Sequence, residues 1–295
     1  MRFVILGSSG FVGQALFTHL RRDTIETVAG YGSVALDLTA AAVADRLAEL
    51  IDAETCLVIT TRARVGLDAQ RGAEAERAMA ANIATALARV PVQHCVYLSS
   101  LSVYGEAESN LNITEATPLA PATPYGQGKV DAERILTIAC QNAAVPLLIL
   151  RPCKIFGPLD PSHAYGPSRF IEAILAGQAI CLLGEGTELR DHLLVTDLVR
   201  ALLQLIQAGR AGIYNIASGE SHSFVQIANM LEAVAAQPCR VIHAKRSKPQ
   251  IDQRINIDKL LADLPGFALT PLLQGLTAAY ADFLERLPPP EDLPI

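Results

Sequence analysis

Arg2-Phe3-Val4-Ile5-Leu6-Gly7-Ser8-Ser9-Gly10-Phe11-Val12-Gly13 is the stretch whose reading decides the fold. Its first five residues are mostly apolar, the texture of a short buried parallel strand. Glycines follow at once with the spacing G-x-x-G-x-x-G, and Val12, Ala15, Leu16 and Leu20 then recur at helical spacing. Strand, glycine-rich turn and helix together form the context in which such a turn holds a dinucleotide. Glycines let the backbone approach a pyrophosphate, and the first N–H groups of the helix attract its charge. The spacing departs from the G-x-G-x-x-G fingerprint, so the turn alone reads about as well as an ordinary glycine turn. Its place directly after a first strand favours the ligand.

Outward from this turn, strands are expected at Phe3–Leu6, Thr27–Tyr31, Cys56–Thr60, His94–Leu98 and Pro146–Leu150. Helices are expected between them at Phe11–Leu20, Ala40–Ile51, Ala73–Ala88 and Lys129–Cys140. This alternation predicts an α/β protein, a doubly wound parallel sheet of Rossmann-like type. Gly7, Thr60-Thr61 and Ser99-Ser100 each follow a strand end, so three ends converge on the crevice where such sheets bind ligands. After Arg151 the texture changes, with Pro and Gly clustering from Gly157 to Gly166. Helices are expected at Ser168–Ala176, Thr196–Gln207 and Ser223–Ala235, with strands at Ile180–Leu183 and Ile213–Ile216. Residues 1–152 are read as the dinucleotide-binding domain. Residues 153–295 are read mainly as a smaller C-terminal α/β substrate-binding lobe, with the return of elements to the first domain left open. The tail Pro288–Ile295 is expected to be irregular.

The 295 residues are 51% hydrophobic, ample for a large core, and carry a net charge of −6. That charge leaves no general basic footprint for nucleic acid. Six cysteines, Cys56, Cys95, Cys140, Cys153, Cys181 and Cys239, are scattered without a C-x-x-C pair and suit a reduced cytoplasmic protein. No His/Cys spacing suggests a metal. The first strand starts too early for a signal peptide, and the longest apolar run, around Ala143–Leu150, is too short to span a bilayer. No membrane partner is expected.

Tyr125 and Lys129 lie four residues apart and share one helix face. An ordinary phenol ionises at about pH 10, and a neighbouring ammonium favours the phenolate. Tyr125 thus reads as a proton carrier, Lys129 as its tuner and a grip for a nicotinamide ribose. Ser100, just past the strand His94–Leu98, can hydrogen-bond a substrate oxygen. A lone Y-x-x-x-K is more often a surface pair; Ser100 and the glycine turn weigh against that reading here.

With these residues in place the chain resembles the extended short-chain dehydrogenase/reductase family, often labelled NAD-dependent epimerase/dehydratase. The resemblance rests on the Gly7–Gly13 turn, Val96–Gly105, Tyr125-Gly126-Gln127-Gly128-Lys129 and Arg151–Pro158. It continues through Gly184-Glu185-Gly186, Arg190-Asp191-His192, Val195-Thr196-Asp197 and Tyr214–Glu220. It implies a catalytic Ser100, Tyr125 and Lys129, with Asn82 ordering the active site. It implies cofactor contacts from Gly7, Ser9, Gly10, Phe11, Val12, Gly13, Thr60, Thr61, Tyr125 and Lys129, and from Asp37 and Leu38 near the adenine. Arg62 stands where relatives are small and can touch a cofactor phosphate. Ser102, Lys154 and Arg190 are the expected substrate contacts. Plainer readings stand beside three of these: Asn82 as a water-facing helix residue, Asp37 near a helix N-cap, and Arg190 in a salt bridge to Glu188 or Asp191.

Many dehydratases of this family carry Thr-Asp-Glu where this chain has Ser100-Leu101-Ser102. Leu101 cannot titrate, so a 4,6-dehydratase is not expected. What the resemblance implies is an NAD- or NADP-dependent oxidoreductase moving hydride to or from a sugar carbon, C4 most often, of a nucleotide-diphosphate sugar, as ketoreductase or epimerase. The short chain tips the balance slightly toward reduction. A non-catalytic dinucleotide sensor and a reductase of a small non-sugar carbonyl compound are the alternatives. The stretch Ala29-Gly30-Tyr31-Gly32-Ser33 has neither a carboxylate nor a cation to select between cofactors. Weak discrimination is therefore expected, with NADP bound at least as well as NAD. A homodimer is expected through the helices that carry Asn82 and Tyr125.

Overall fold

The computed structural model describes residues 1–22, 27–63, 68–106, 108–161 and 166–286. The first half runs β1 (Arg2–Leu6), α1 (Phe11–Arg22), β2 (Thr27–Tyr31), α2 (Val43–Leu50), β3 (Thr55–Ile59), α3 (Ala69–Arg89), β4 (His94–Leu98), β5 (Asn110–Ile113), α4 (Pro124–Asn142) and β6 (Leu147–Pro152). The second half runs β7 (Lys154–Phe156), α5 (Gly166–Leu175), β8 (Ile180–Leu183), β9 (Leu189–Leu194), α6 (Val195–Gln207), β10 (Gly212–Ile216), β11 (Ser221–Ser223), α7 (Phe224–Ala235), β12 (Val241–Ala244), β13 (Gln253–Ile255), α8 (Asp258–Asp263) and α9 (Leu272–Glu285).

Six strands form one parallel sheet in the order β10-β6-β4-β3-β1-β2. The chain steps one way from β1 to β2 and the other way through β3, β4, β6 and β10, so the order reverses between β1 and β3. Alternation along the strands feeds two cores. Phe3 and Ile5 pack on one face with Leu16, Leu198 and Leu202, under α1 and α6. Val4 and Leu6 pack on the other with Leu47, Ile83 and Leu136, under α2, α3 and α4. A third core, built on Phe156, Phe170, Ile180, Ile227 and Phe283, holds the second half together. There β7, β9 and β11 form a three-stranded sheet.

One strand of the second half, β10, returns to the edge of the main sheet. β10 pairs with β6 from Gly212↔Leu148 to Ile216↔Pro152, a return of an element from beyond residue 152 that had been left open. Strands β5, β7, β9, β11, β12 and β13 and helices α8 and α9 were not expected from the sequence. Arg190 and Asp191 fall inside β9. The expected irregular tail, Pro288–Ile295, lies outside the described residues. No helix among the described residues is long and apolar enough to cross a membrane.

One buried ion pair ties the mouth of this sheet together. Arg151, near the end of β6, gives Nη2 and Nε to the two carboxylate oxygens of Glu133 on α4 at 2.6 and 3.0 Å. Its Nη1 donates to Tyr104 Oη at 2.8 Å, and Tyr104 Oη donates to Asn215 Oδ1 on β10 at 2.7 Å. Ser99 Oγ, one residue past β4, donates to Glu133 at 2.5 Å. Burial works against the charge on Arg151, and the hydrogen bond and charge of Glu133 more than reverse this, lifting its pKa above the ordinary arginine value. Removing one partner from such a pair leaves an uncompensated buried charge. Glu133→Ala should therefore destabilise the fold by roughly 3–5 kcal/mol. Urea unfolding should show a lower midpoint at an unchanged slope.

Candidate active site

The glycine turn sits at the reversal point of the sheet. Gly7 N donates to Tyr31 O at 2.8 Å and Thr60 N to Leu6 O at 2.9 Å, so the ends of β2, β1 and β3 are laced side by side. Gly7 has φ +89°, a conformation that favours glycine. A Cβ on Gly13 would lie 2.2 Å from Gly7 O and 2.7 Å from Thr60 Oγ1. The turn therefore folds back on the start of α1 as a cradle of bare backbone. N–H groups in the first turn of a helix lack intrahelical partners, which suits the cradle to a pyrophosphate. Ser9, Gly10, Phe11 and Val12 line this turn, and Arg62 is exposed just beyond β3 with Thr61.

The end of β2 presses on the same turn. A Cβ on Gly30 would meet Ser8 Cβ at 2.7 Å, and one on Gly32 would meet Ser9 Oγ at 2.6 Å. Close packing explains the bare Gly30-Tyr31-Gly32 stretch. Asp37 follows, its Oδ1 accepting from Thr39 N at 3.0 Å and from Thr39 Oγ1 at 2.6 Å. Asp37 is not the N-cap of α2, which is Ala42. Leu38 is buried. Asn82, expected in the catalytic cluster, gives its amide to Leu38 O at 2.8 Å and Ala40 O at 3.2 Å. It therefore holds the Asp37–Thr39 turn in place, and its amide bonds to none of Ser100, Tyr125 or Lys129.

At the next strand end, Ser100 is the N-cap of a 3-10 turn over Leu101–Tyr104, its Oγ accepting from Ser102 N at 3.2 Å. α4 starts earlier than expected because Thr123 caps it, Oγ1 accepting from Gly126 N at 3.1 Å, and Pro124 opens its first turn. Tyr125 thus stands in the first turn, 39% exposed, with Lys129 one turn deeper. A Cβ on Gly126 would meet Ser102 O at 2.6 Å, so α4 butts against the Ser100–Ser102 backbone. Lys129 Nζ lies 6.0 Å from the centre of the Tyr125 ring. Burial opposes its charge; Tyr97, Glu76 and Tyr125 around it outweigh burial and hold its pKa above the ordinary lysine value. Glu76, whose carboxylate touches Lys129, was missed in the sequence. The available signal was an acid on the buried stripe that carries Met79, Ala80 and Ile83.

On the second lobe, Lys154 and His192 are register partners on β7 and β9. Burial draws Lys154 below its ordinary pKa against the pull of Glu106. His192 is held neutral, its pKa lowered to about 3, chiefly by burial and then by Lys154. Both its ring nitrogens, and Ser102 Oγ, are buried with no hydrogen-bond partner among the described residues. Arg190 is buried and pairs with Glu188 at 2.5 Å, the salt bridge that had been weighed against a substrate contact. Arg246 also pairs with Glu188. Asp191, the other candidate partner, instead accepts from the Ser218 and Gly219 N–H groups at 2.9 Å.

The sequence model of the NAD dependent epimerase/dehydratase family matches residues 3–217. Among curated relatives, the low-salt glycan biosynthesis protein Agl12 of Haloferax volcanii is 27% identical over 288 residues, covering 88% of this chain and 90% of that protein. Matches to mammalian dTDP-D-glucose 4,6-dehydratases, the human protein among them, are 30% identical and span about 40% of those relatives' length. UDP-glucose 4-epimerase of Thermus thermophilus, solved in complex with NAD, superposes with a TM-score of 0.85 at 20% identity, covering 97% of this chain and 100% of that one. RMD of Pseudomonas aeruginosa, solved with NADPH, superposes with a TM-score of 0.83 at 25% identity, covering 97% and 99%.

The cradle leaves no room for a methyl group. Gly13→Ala should destabilise the protein by about 1–3 kcal/mol, the usual cost of overpacking, read as a lower Tm in thermal unfolding.

Proposed function

The chain belongs to the NAD dependent epimerase/dehydratase family, and from that premise we propose that it moves hydride to or from a sugar carbon, C4 by preference, of a nucleotide-diphosphate sugar. One observation carries the reading. Tyr125 and Lys129 begin α4 against the Ser100–Ser102 backbone, at the same sheet mouth as the Gly7–Gly13 cradle.

Each residue has a distinct task. The cradle, with Thr60 and Thr61 at the end of β3 and Asp37 and Leu38 beyond β2, holds the dinucleotide. A nicotinamide bound there supplies or accepts the hydride. Ser100 already accepts from Ser102 N, and its own proton is left for the substrate oxygen. Tyr125 carries the proton at that oxygen: it donates when the carbonyl is reduced and accepts when the alcohol is oxidised. Lys129 supplies a fixed positive charge beneath the ring. Ser102, whose hydroxyl is buried with no partner among the described residues, and Lys154 face the sugar and its phosphates. Arg190 contributes to the diphosphate only by sharing itself with Glu188.

Leu101 packs into the core rather than presenting an acid or base, which favours a ketoreductase or epimerase over a 4,6-dehydratase. The same reading includes a cytoplasmic homodimer through α3 and α4, where Ile138 is 52% exposed. It is tested by screening nucleotide sugars and keto-sugars with both cofactors, following nicotinamide absorbance for net reduction and NMR of the products for epimerisation. No turnover in any combination would leave the dinucleotide sensor as the better reading.

Tyr125→Phe keeps the packing and loses the proton carrier. Turnover should fall by at least ~100-fold while calorimetry shows cofactor affinity nearly unchanged. With β2 presenting glycine against Ser8 and Ser9, NADP should bind at least as tightly as NAD. An NAD affinity about tenfold or more above that for NADP would mean that Asp37 reaches the ribose.

A further inference from the structure

The lysine of the catalytic cluster is held before any ligand arrives. An ammonium has three protons to give, and Lys129 Nζ gives all three to the protein. They go to Glu76 Oε1 at 2.6 Å, Leu98 O at 3.1 Å and Thr61 O at 3.2 Å. Its partner is equally committed. Glu76 Oε1 also accepts from Tyr97 Oη at 3.1 Å, and Oε2 accepts from the Ala63 N–H at 3.3 Å. The two side chains are 2% and 4% exposed, so water screens neither.

Burying a carboxylate is costly unless it is paired, and Glu76 lies on a helix face otherwise given to Met79, Ala80 and Ile83. Two features bring it to the lysine. Gly128 lets α4 approach α3 so closely that a Cβ there would lie 3.1 Å from Ala73 Cα and 3.3 Å from Glu76 Cβ. Tyr97 on β4 adds the phenol that steadies the carboxylate, its ring centre 4.9 Å from Nζ.

A lone ammonium here would repel any positive charge brought to the Tyr125 side of the site. Paired with Glu76 it does not. We infer that Glu76 is a positioning residue that fixes the Lys129 ammonium beneath Tyr125 and offsets its charge, so that the oxidised, positively charged form of a nicotinamide is not repelled from the site. The inference rests on the nicotinamide reading above.

The test is calorimetric titration of the intact protein with the oxidised and the reduced form of one cofactor, for the parent, Glu76→Gln and Lys129→Gln. Glutamine at 76 keeps the shape and an acceptor for Lys129 and removes the negative charge. The ratio of oxidised to reduced Kd should rise about fivefold in Glu76→Gln. It should fall by a similar factor in Lys129→Gln, which leaves the carboxylate without its cation. Damage to packing weakens both forms alike and leaves the ratio where it was. Should Glu76→Gln not be recovered folded, the Lys129→Gln arm decides. Ratios within about twofold of the parent in the folded variants overturn the inference. A parent that binds neither form sinks the nicotinamide reading itself, and this inference with it.

Discussion

Two carboxylates buried under the sheet mouth govern what stands above it. Glu76 on α3 and Glu133 on α4 neutralise Lys129 and Arg151, and each also collects hydrogen bonds from the strand ends beside it. Paired charges in a low-dielectric interior tolerate little displacement, because any gap leaves an unsolvated ion. The 3-10 turn, the start of α4 and the end of β6 are therefore located relative to one another by electrostatics as well as by apolar packing. Ser100 and Tyr125 sit on elements that this network pins, so their mutual placement does not depend on the exposed loops.

The second lobe follows a different logic. Arg190 and Arg246 converge on one internal carboxylate, Glu188. An anion arriving at this fork must compete with that carboxylate rather than meet bare positive charge. An anion bound there would exchange partners with Glu188, which favours groups able to offer both arginines several oxygens in a fixed arrangement. His192, neutral and buried beside this cluster, adds a polar surface without adding charge.

Legibility in the sequence follows local periodicity. β1 to β4 and α1 were visible because a short apolar run followed by a glycine turn or an amphipathic helix leaves a pattern that survives burial. Placing Ser100, Tyr125 and the glycine turn at one mouth needed only the rule that parallel strands present their carboxyl ends together. β9 was hidden because Leu189-Arg190-Asp191-His192 carries three polar side chains into the interior, and Asp191 finds its partner in Ser218, far along the chain. β5 and β13 were hidden because each is a short strand with only the other as partner. The partners of Asn82 were hidden because its helix position is local information, whereas its hydrogen-bond partners lie more than forty residues away. The same distance in sequence concealed the link between Glu76 and Lys129.

The return of β10 to the edge of the main sheet has a consequence for how the molecule is made. On a ribosome, β1 through β6 emerge first, but β6 has an open edge until residue 216 has been synthesised. During that interval the nascent chain exposes a strand rich in leucine and isoleucine. Closing the edge requires a contact across more than sixty residues, a slow step set by chain entropy. Biogenesis of this protein is thus gated by a late, long-range strand insertion, and that waiting interval is when chaperones have most to shield.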